Sequence, residues 1–254
     1  MGKRGRSALF GLVALTAVAV SVLLLMASAA SSGTTSCTTT LTGTIYNNVN
    51  VPAGAECTLD GATVKGTVSV TGKEATLTVK NGAKITENLN ANGSGNVMVT
   101  GSTISGNVTF AYVAGPKTFV CGSTVGGSVT VSHSSGQIKI GDEREYIEPS
   151  AVFEVEECDS GTTVWGSVTF NNNTADVLQL AGSTVKRNVT VNNNGPGPEE
   201  GELDLAANTV SNNFTCLNNV VKFDSTDEDT GPLFDISGNS VGGNFKCDKP
   251  AGMP

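Results

Sequence analysis

Residues 101–110 read Gly101-Ser102-Thr103-Ile104-Ser105-Gly106-Asn107-Val108-Thr109-Phe110, and residues 122–131 read Gly122-Ser123-Thr124-Val125-Gly126-Gly127-Ser128-Val129-Thr130-Val131. The second stretch repeats the first, position for position, with equivalent chemistry. Followed in both directions, the fourth position falls at Ile45, Val64, Ile85, Ile104, Val125, Val164, Val185, Val210 and Val241, at spacings of 19, 21, 19, 21, 39, 21, 25 and 31. A base period near twenty is the mark of a repeat architecture, in which one unit cannot bury its own apolar face and stacked neighbours supply the core. The spacing of 39 is either two ordinary periods or one period carrying an insertion.

Each position of the unit has a physical task. Four residues after the anchor comes a second apolar residue (Val49, Val68, Leu89, Val108, Val129, Val168, Val189, Phe214, Phe245), and two further on a third (Val51, Val70, Ala91, Phe110, Val131, Phe170, Val191, Cys216, Cys247). A polar residue stands between them, which is the period of a strand with one face inward. Between anchor and strand lies Asn47, Gly66, Glu87, Gly106, Gly127, Gly166, Arg187, Asn212 or Gly243. Five glycines and two asparagines in these nine copies predict a left-handed backbone there. The next column is Asn48, Thr67, Asn88, Asn107, Ser128, Ser167, Asn188, Asn213 and Asn244. Stacked coils bring these small hydrogen-bonding side chains into one ladder, and the reading favours an inward ladder over exposed turn asparagines.

A second strand precedes the Gly-Ser-Thr corner, at Leu77–Val79, Val97–Val99, Leu178–Leu180, Leu203–Leu205 and Phe234–Ile236. Strands stack about 4.8 Å apart, so eight or nine coils predict a rod of roughly 40 Å. A β-sandwich is the competing all-β solution and does not need so strict a register; the hexapeptide rhythm of a left-handed β-helix does not fit a coil near twenty. The pattern over residues 41–247 resembles right-handed parallel β-helix proteins, and the whole chain resembles exported bacterial β-helix proteins of the actinobacterial type. The resemblance implies an all-β, single-stranded right-handed parallel β-helix, with an inward asparagine ladder at a tight turn. The predicted organisation is a leader (1–30), a polar N-terminal cap (31–40), the β-helix (41–247) and a short tail (248–254).

The leader carries Lys3, Arg4 and Arg6, an apolar run from Ala8 to Met26, and the small-x-small pattern Ala27-Ser28-Ala29. This is the layout of a signal peptide cleaved after Ala29 or Ala30. The same run is long enough for an uncleaved membrane anchor. All six cysteines follow it, and an even count in an exported chain favours disulfides. Cys216 and Cys247 share one inward position in the last two coils, Cys121 and Cys158 flank corresponding corners, and Cys37 and Cys57 lie near the start. The simplest connectivity is Cys37–Cys57, Cys121–Cys158 and Cys216–Cys247, with buried free thiols as the alternative.

The net charge of −8 disfavours nucleic acid, which demands a basic surface. Seventeen of the chain's 23 acids lie in three stretches, 142–159, 199–204 and 224–235. These are read as insertions on one edge of the rod, after Val131, Val191 and Cys216. Carboxylates there can hold calcium or a cationic partner, with Asp224, Asp227 and Asp229 the candidate ligands, although their spacing matches no recognised calcium loop. The plainer reading is a set of solvated loops that keep a β-rod soluble. No other cofactor is expected.

Hydrolases of this architecture carry clustered aspartates with a histidine and a basic clamp; the fold alone does not decide function. Here no Asp-Asp pair occurs, and the single histidine, His133, sits on a predicted surface loop. The mature chain's only arginines are Arg144 and Arg187, the second beside Lys186 in a turn. Trp165, expected to point outward, and Tyr46, Tyr112 and Tyr146 are too scattered for a sugar-binding track. The expectation is an exported, non-catalytic β-helix with a structural, adhesive or binding role at or outside the cell envelope, its partner an envelope or extracellular polysaccharide or protein. The alternative is a polysaccharide lyase or hydrolase with its site in the acidic loops. Membrane contact is expected only through an uncleaved N-terminal segment. Polar ends at 31–40 and 248–254 read as caps and predict a monomer. An ice-binding Thr-x-Thr face is broken by Asn50, Ser69, Asn90 and Lys246. Of five Asn-x-Ser/Thr triplets, at Asn92, Asn107, Asn172, Asn188 and Asn213, three fall on the ladder and are expected to be buried.

Overall fold

In the computed structural model the residues described are 33–142, 160–198, 201–222 and 234–251. Among them the chain winds as a parallel β-solenoid with three sheets. Sheet A holds ten strands such as Val68–Thr71, and sheet B strands such as Thr76–Lys80. Sheet C holds nine two-residue strands such as Lys84–Ile85. The chain visits them in the order C, A, B in every coil, and every pairing within them is parallel. The anchors form a single file, Ile45 on Val64 on Ile85 on Ile104 on Val125 on Val164 on Val185 on Val210 on Val241. Val125 pairs directly with Val164, so the spacing of 39 is one coil with an insertion. Among the described residues no helix is long and apolar enough to cross a membrane. The segment expected to be a leader (1–30), with the cleavage site expected after Ala29 or Ala30, and Cys158, Asp224, Asp227 and Asp229 lie outside the described residues.

The alternation along each sheet A strand sends its two apolar residues inward. Val68 and Val70, Val129 and Val131, and Val189 and Val191 are all fully buried, as are the anchors Val64, Val125 and Val185. Sheet B adds Leu77, Val79, Val97, Val99, Ile138, Ile140 and Leu180 to the same continuous core. Each such side chain contributes about 1.5–3 kcal/mol on burial. None can collect it without a coil above and below, because the coil's own width is a few side chains.

Two expectations about the backbone are corrected. Gly66, Gly106, Gly127, Gly166 and Gly243 do not take positive φ, and neither do Asn47, Glu87, Arg187 and Asn212. Glycine serves close approach there. A Cβ on Gly106 would stand 2.6 Å from both the Asn88 Oδ1 and the Glu87 carbonyl oxygen of the preceding coil. Most of the left-handed residues form two other columns. One opens the sheet C corner (Gly61, Gly82, Gly101, Gly122, Gly182, Ala207, Gly238), and the other closes sheet A (Gly72, Gly93, Tyr112, His133, Asn172, Asn193, Asn218).

The three insertions also do not share one edge. Residues 143–159 follow sheet B strand Ser135–Gly141 and precede sheet C strand Thr163–Val164. The other two enter at the start of sheet B, between Gly195–Pro196 and Glu202–Asp204, and ahead of Phe234–Asp235. The difference was hidden because the sheet B strands Lys117–Cys121 and Ser135–Gly141 were not recognised in the sequence.

Candidate functional surface

The predicted polar ladder exists, and it runs along the outside. Asn48, Asn107, Asn213 and Asn244 are exposed, while Asn88 and Asn188 are half-buried. All of these amides but that of Asn244, in the last described coil, accept from the next coil's backbone. Asn48 Oδ1 accepts from the Thr67 N–H at 2.9 Å, Asn88 from Asn107 at 2.8 Å, Asn107 from Ser128 at 2.8 Å, Asn188 from Asn213 at 3.2 Å and Asn213 from Asn244 at 2.9 Å. The inward placement fails because the ladder residue directly precedes an inward valine or leucine, and neighbours on a strand face opposite ways.

Two buried ladders occupy other corners. Where sheet A turns toward sheet B, Asn173 donates from Nδ2 to Asn194 Oδ1 at 2.9 Å, and Asn194 repeats this to Asn219 at 2.9 Å. The Ser134 N–H feeds the same file by donating to Asn173 Oδ1 at 3.0 Å. Ahead of sheet C stand Ser102, Ser123, Thr162, Ser183 and Asn208, all buried. Asn208 Oδ1 there accepts from the Ser183 N–H at 3.0 Å. The signals for both were in the sequence: the recurrent serine of Gly-Ser-Thr, and the doublets Asn172-Asn173, Asn193-Asn194 and Asn218-Asn219.

The outer face of sheet A is a regular surface of ten stacked strands. Thr109, Thr130, Thr169, Thr190 and Thr215 stack directly on one another in five successive coils. The exposed ladder lies on one side of this threonine file, and Ser132, Asn171 and Asn192 lie on the other. From Asn107 to Asn192 the outward positions of the sheet A strands carry hydroxyls and amides, one alanine and no charge. The file is bounded by Asn90 on Thr109 and by Lys246 on Thr215. Such a face offers donors and acceptors at a strand repeat of about 4.8 Å.

The residues considered for catalysis are not assembled. His133 is exposed at the corner after sheet A, its ring stacked on Tyr112 with centroids 5.0 Å apart. Arg187 is exposed at the opposite end of the sheet A strand, before Val189. Trp165 points outward as expected, 57% exposed, with Lys186 Nζ 5.9 Å from its ring centroid. Tyr46 and Tyr112 are exposed too, far apart along the rod. Arg144 and Tyr146 lie outside the described residues. Among the described residues no group of His, Cys, Asp or Glu could hold a metal ion. Asp204 and Asp235 have structural tasks: Asp204 accepts from Gln179 Nε2 at 2.9 Å and from the Ala206 N–H at 3.1 Å, and Asp235 accepts from the Ser237 N–H at 2.7 Å. Asn107 and Asn213, acceptors of two of the five triplets, are exposed, which corrects the expectation that the repeat buries them.

Disulfides clamp both ends of the rod. Cys37 joins Cys57 with Cα atoms 5.4 Å apart, and Cys216 joins Cys247 at 4.4 Å. The second links residues in register on adjacent sheet A strands. Among the described cysteines none is free, and Cys121 is therefore not an available thiol. Structural disulfides of this kind fit an oxidising, extracytoplasmic compartment.

Fold and surface together define the class: a disulfide-clamped parallel β-solenoid whose sheet A presents a run of uncharged polar residues over several coils. The chain matches no known family model, and no curated protein or solved structure is significantly similar to it.

Proposed function

We propose that this is an exported, non-catalytic β-helix of the actinobacterial type that binds at or outside the cell envelope through the outer face of sheet A. The observation that carries the reading is the uninterrupted threonine file Thr109–Thr130–Thr169–Thr190–Thr215, flanked by amides and hydroxyls. A rigid sheet fixes these groups at a constant repeat, so a hydroxyl-rich partner with a matching repeat meets many preorganised hydrogen bonds at little entropic cost. An envelope or extracellular polysaccharide has that chemistry. The leader's signal-peptide layout and the two clamping disulfides support export.

The test is a pull-down of the exported chain on insoluble envelope polysaccharide, with Thr130→Lys and Thr169→Lys at the centre of the face. Both threonines are half-buried on the outer surface, so the variants should fold with unchanged melting while retention falls at least tenfold. Retention equal to wild type would remove the face as the binding site; retention on envelope protein alone would replace the partner.

The carbohydrate-active alternative requires acidic loops to converge. The loop roots on the described residues leave from two different edges of sheet B, which weighs against it. Depolymerisation of an acidic or neutral polysaccharide, abolished by Asp224→Asn or Asp227→Asn, would establish that alternative.

A further inference from the structure

The core of the rod is open at its C-terminal end. Phe214, Val210, Cys216, Leu203 and Leu205 are at most 3% exposed. One coil later the equivalent positions are Phe245, 46% exposed, and Val241, Cys247, Phe234 and Ile236, all half-buried. Phe245 rests one side of its ring on Phe214, with centroids 5.3 Å apart, and presents the other. Among the described residues, the strands Phe234–Asp235, Ser240–Val241 and Phe245–Cys247 each pair on one side alone. The described part of the tail expected to cap them, 248–251, does not cross the end: the Asp248 N–H donates to the Cys216 carbonyl at 2.9 Å, the Ala251 N–H to that of Asn219 at 3.0 Å, and Ala251 bridges Val220. It continues the spiral beside the coil below. An open apolar end with unpaired edges is a pairing template.

We infer that this end is covered by the same end of a second copy, in a two-fold tail-to-tail dimer. Residues 223–233 carry Asp224, Asp227, Glu228 and Asp229, side chains whose charge is costly to lay on an apolar end.

Head-to-tail stacking is disfavoured by the places of the first and last described strands. Both Thr34–Ser36 and Phe245–Cys247 lie on sheet A. Seating the first strand on the last would leave a whole layer vacant over Phe234–Asp235 and Ser240–Val241.

Two like ends mesh instead. Each end of a single-chain spiral is a stair with one ledge, and a perpendicular two-fold axis sets high side against low side all the way round. That axis places Ser240–Val241 against its own mate and each copy's Phe245–Cys247 against the other's Phe234–Asp235. The apolar partners then meet inside. Outside, Lys246 of each copy meets Asp235 of the other, which is the reciprocal contact an isologous interface requires.

Sedimentation velocity of the exported chain across micromolar concentrations should give twice the chain mass. Lys246→Asp, an exposed outward change, should return it to a single chain with unaltered circular dichroism, and Lys246→Asp with Asp235→Lys should restore the dimer. Phe245→Lys should also give single chains. Thr35→Lys, at the other end, should leave the dimer intact. A single-chain mass throughout for wild type, failure of the charge exchange to restore the dimer, loss of it with Thr35→Lys, or open-ended growth would overturn the inference.

Discussion

At the residue scale the informative positions are those where chemically similar residues do different work. Asn107 and Asn194 both sit in asparagine files. Asn107 is exposed and its side chain accepts one bond from the next coil, whereas Asn194 is buried and bonded on both sides, to Asn173, to Asn219 and to the Phe170 carbonyl at 3.3 Å. Asn194→Ala should cost about 2–3 kcal/mol, since it strands buried polar partners, and Asn107→Ala under about 1 kcal/mol. Urea midpoints of the two variants check this. The same comparison applies to glycine. Gly106→Ala forces a Cβ within 2.6 Å of the coil below and should lose about 1–3 kcal/mol through overpacking. Gly101, at φ +53 with open space around it, should lose about 1 kcal/mol, from backbone strain alone. The ladder's existence was legible from residue type and period. Its facing was misjudged because a small polar side chain satisfies either side of a strand, and only the neighbouring valine's direction decides.

At the element scale the disulfides act on the coils that lack a neighbour on one side. The Cys216–Cys247 link spans 31 residues, and the chain-entropy model assigns such a loop about 3–4 kcal/mol. Because repeat arrays open from their ends, Cys216→Ser with Cys247→Ser should accelerate hydrogen exchange over residues 234–251 and leave strands such as Val97–Thr100 and Val129–Ser132 protected. Uniform acceleration along the rod would show that the bond instead stabilises the whole array. Sheet A and sheet C were readable at this scale because their apolar residues keep a fixed offset from each anchor. Sheet B was only partly readable. Its strand Lys117–Cys121 begins with lysine, and Thr174–Ala181 contains a register shift opposite Gly136 and Gln137. Those strands decide where the chain leaves the rod ahead of residue 143.

At the scale of the whole molecule, near-equivalent coils imply near-additive stability. Removing residues 64–84 joins Thr63 to Ile85, two positions already paired in register with each other's neighbours. The shortened chain should fold cooperatively, with a solenoid shorter by about 4.8 Å in small-angle scattering and a melting temperature lowered by a few degrees. Removing residues 64–74 leaves half a coil and rotates every later apolar residue away from its file, so it should abolish the β signal in circular dichroism. The polar binding face belongs to this scale as well. No single strand contains it; it exists because five coils repeat one outward threonine.

The sequence by itself determined the solenoid. A valine every twenty or so residues, in coils too narrow to hide it, leaves stacking as the only way to bury it, and the parallel register follows. Tertiary structure alone decided which polar column faces water, between which strands the chain leaves the rod for each acidic insertion, and that Phe245 of the last described coil is exposed where Phe214 is buried. Those outcomes depend on which neighbour stands above, below or opposite a residue, and a linear pattern of residue types does not contain that information.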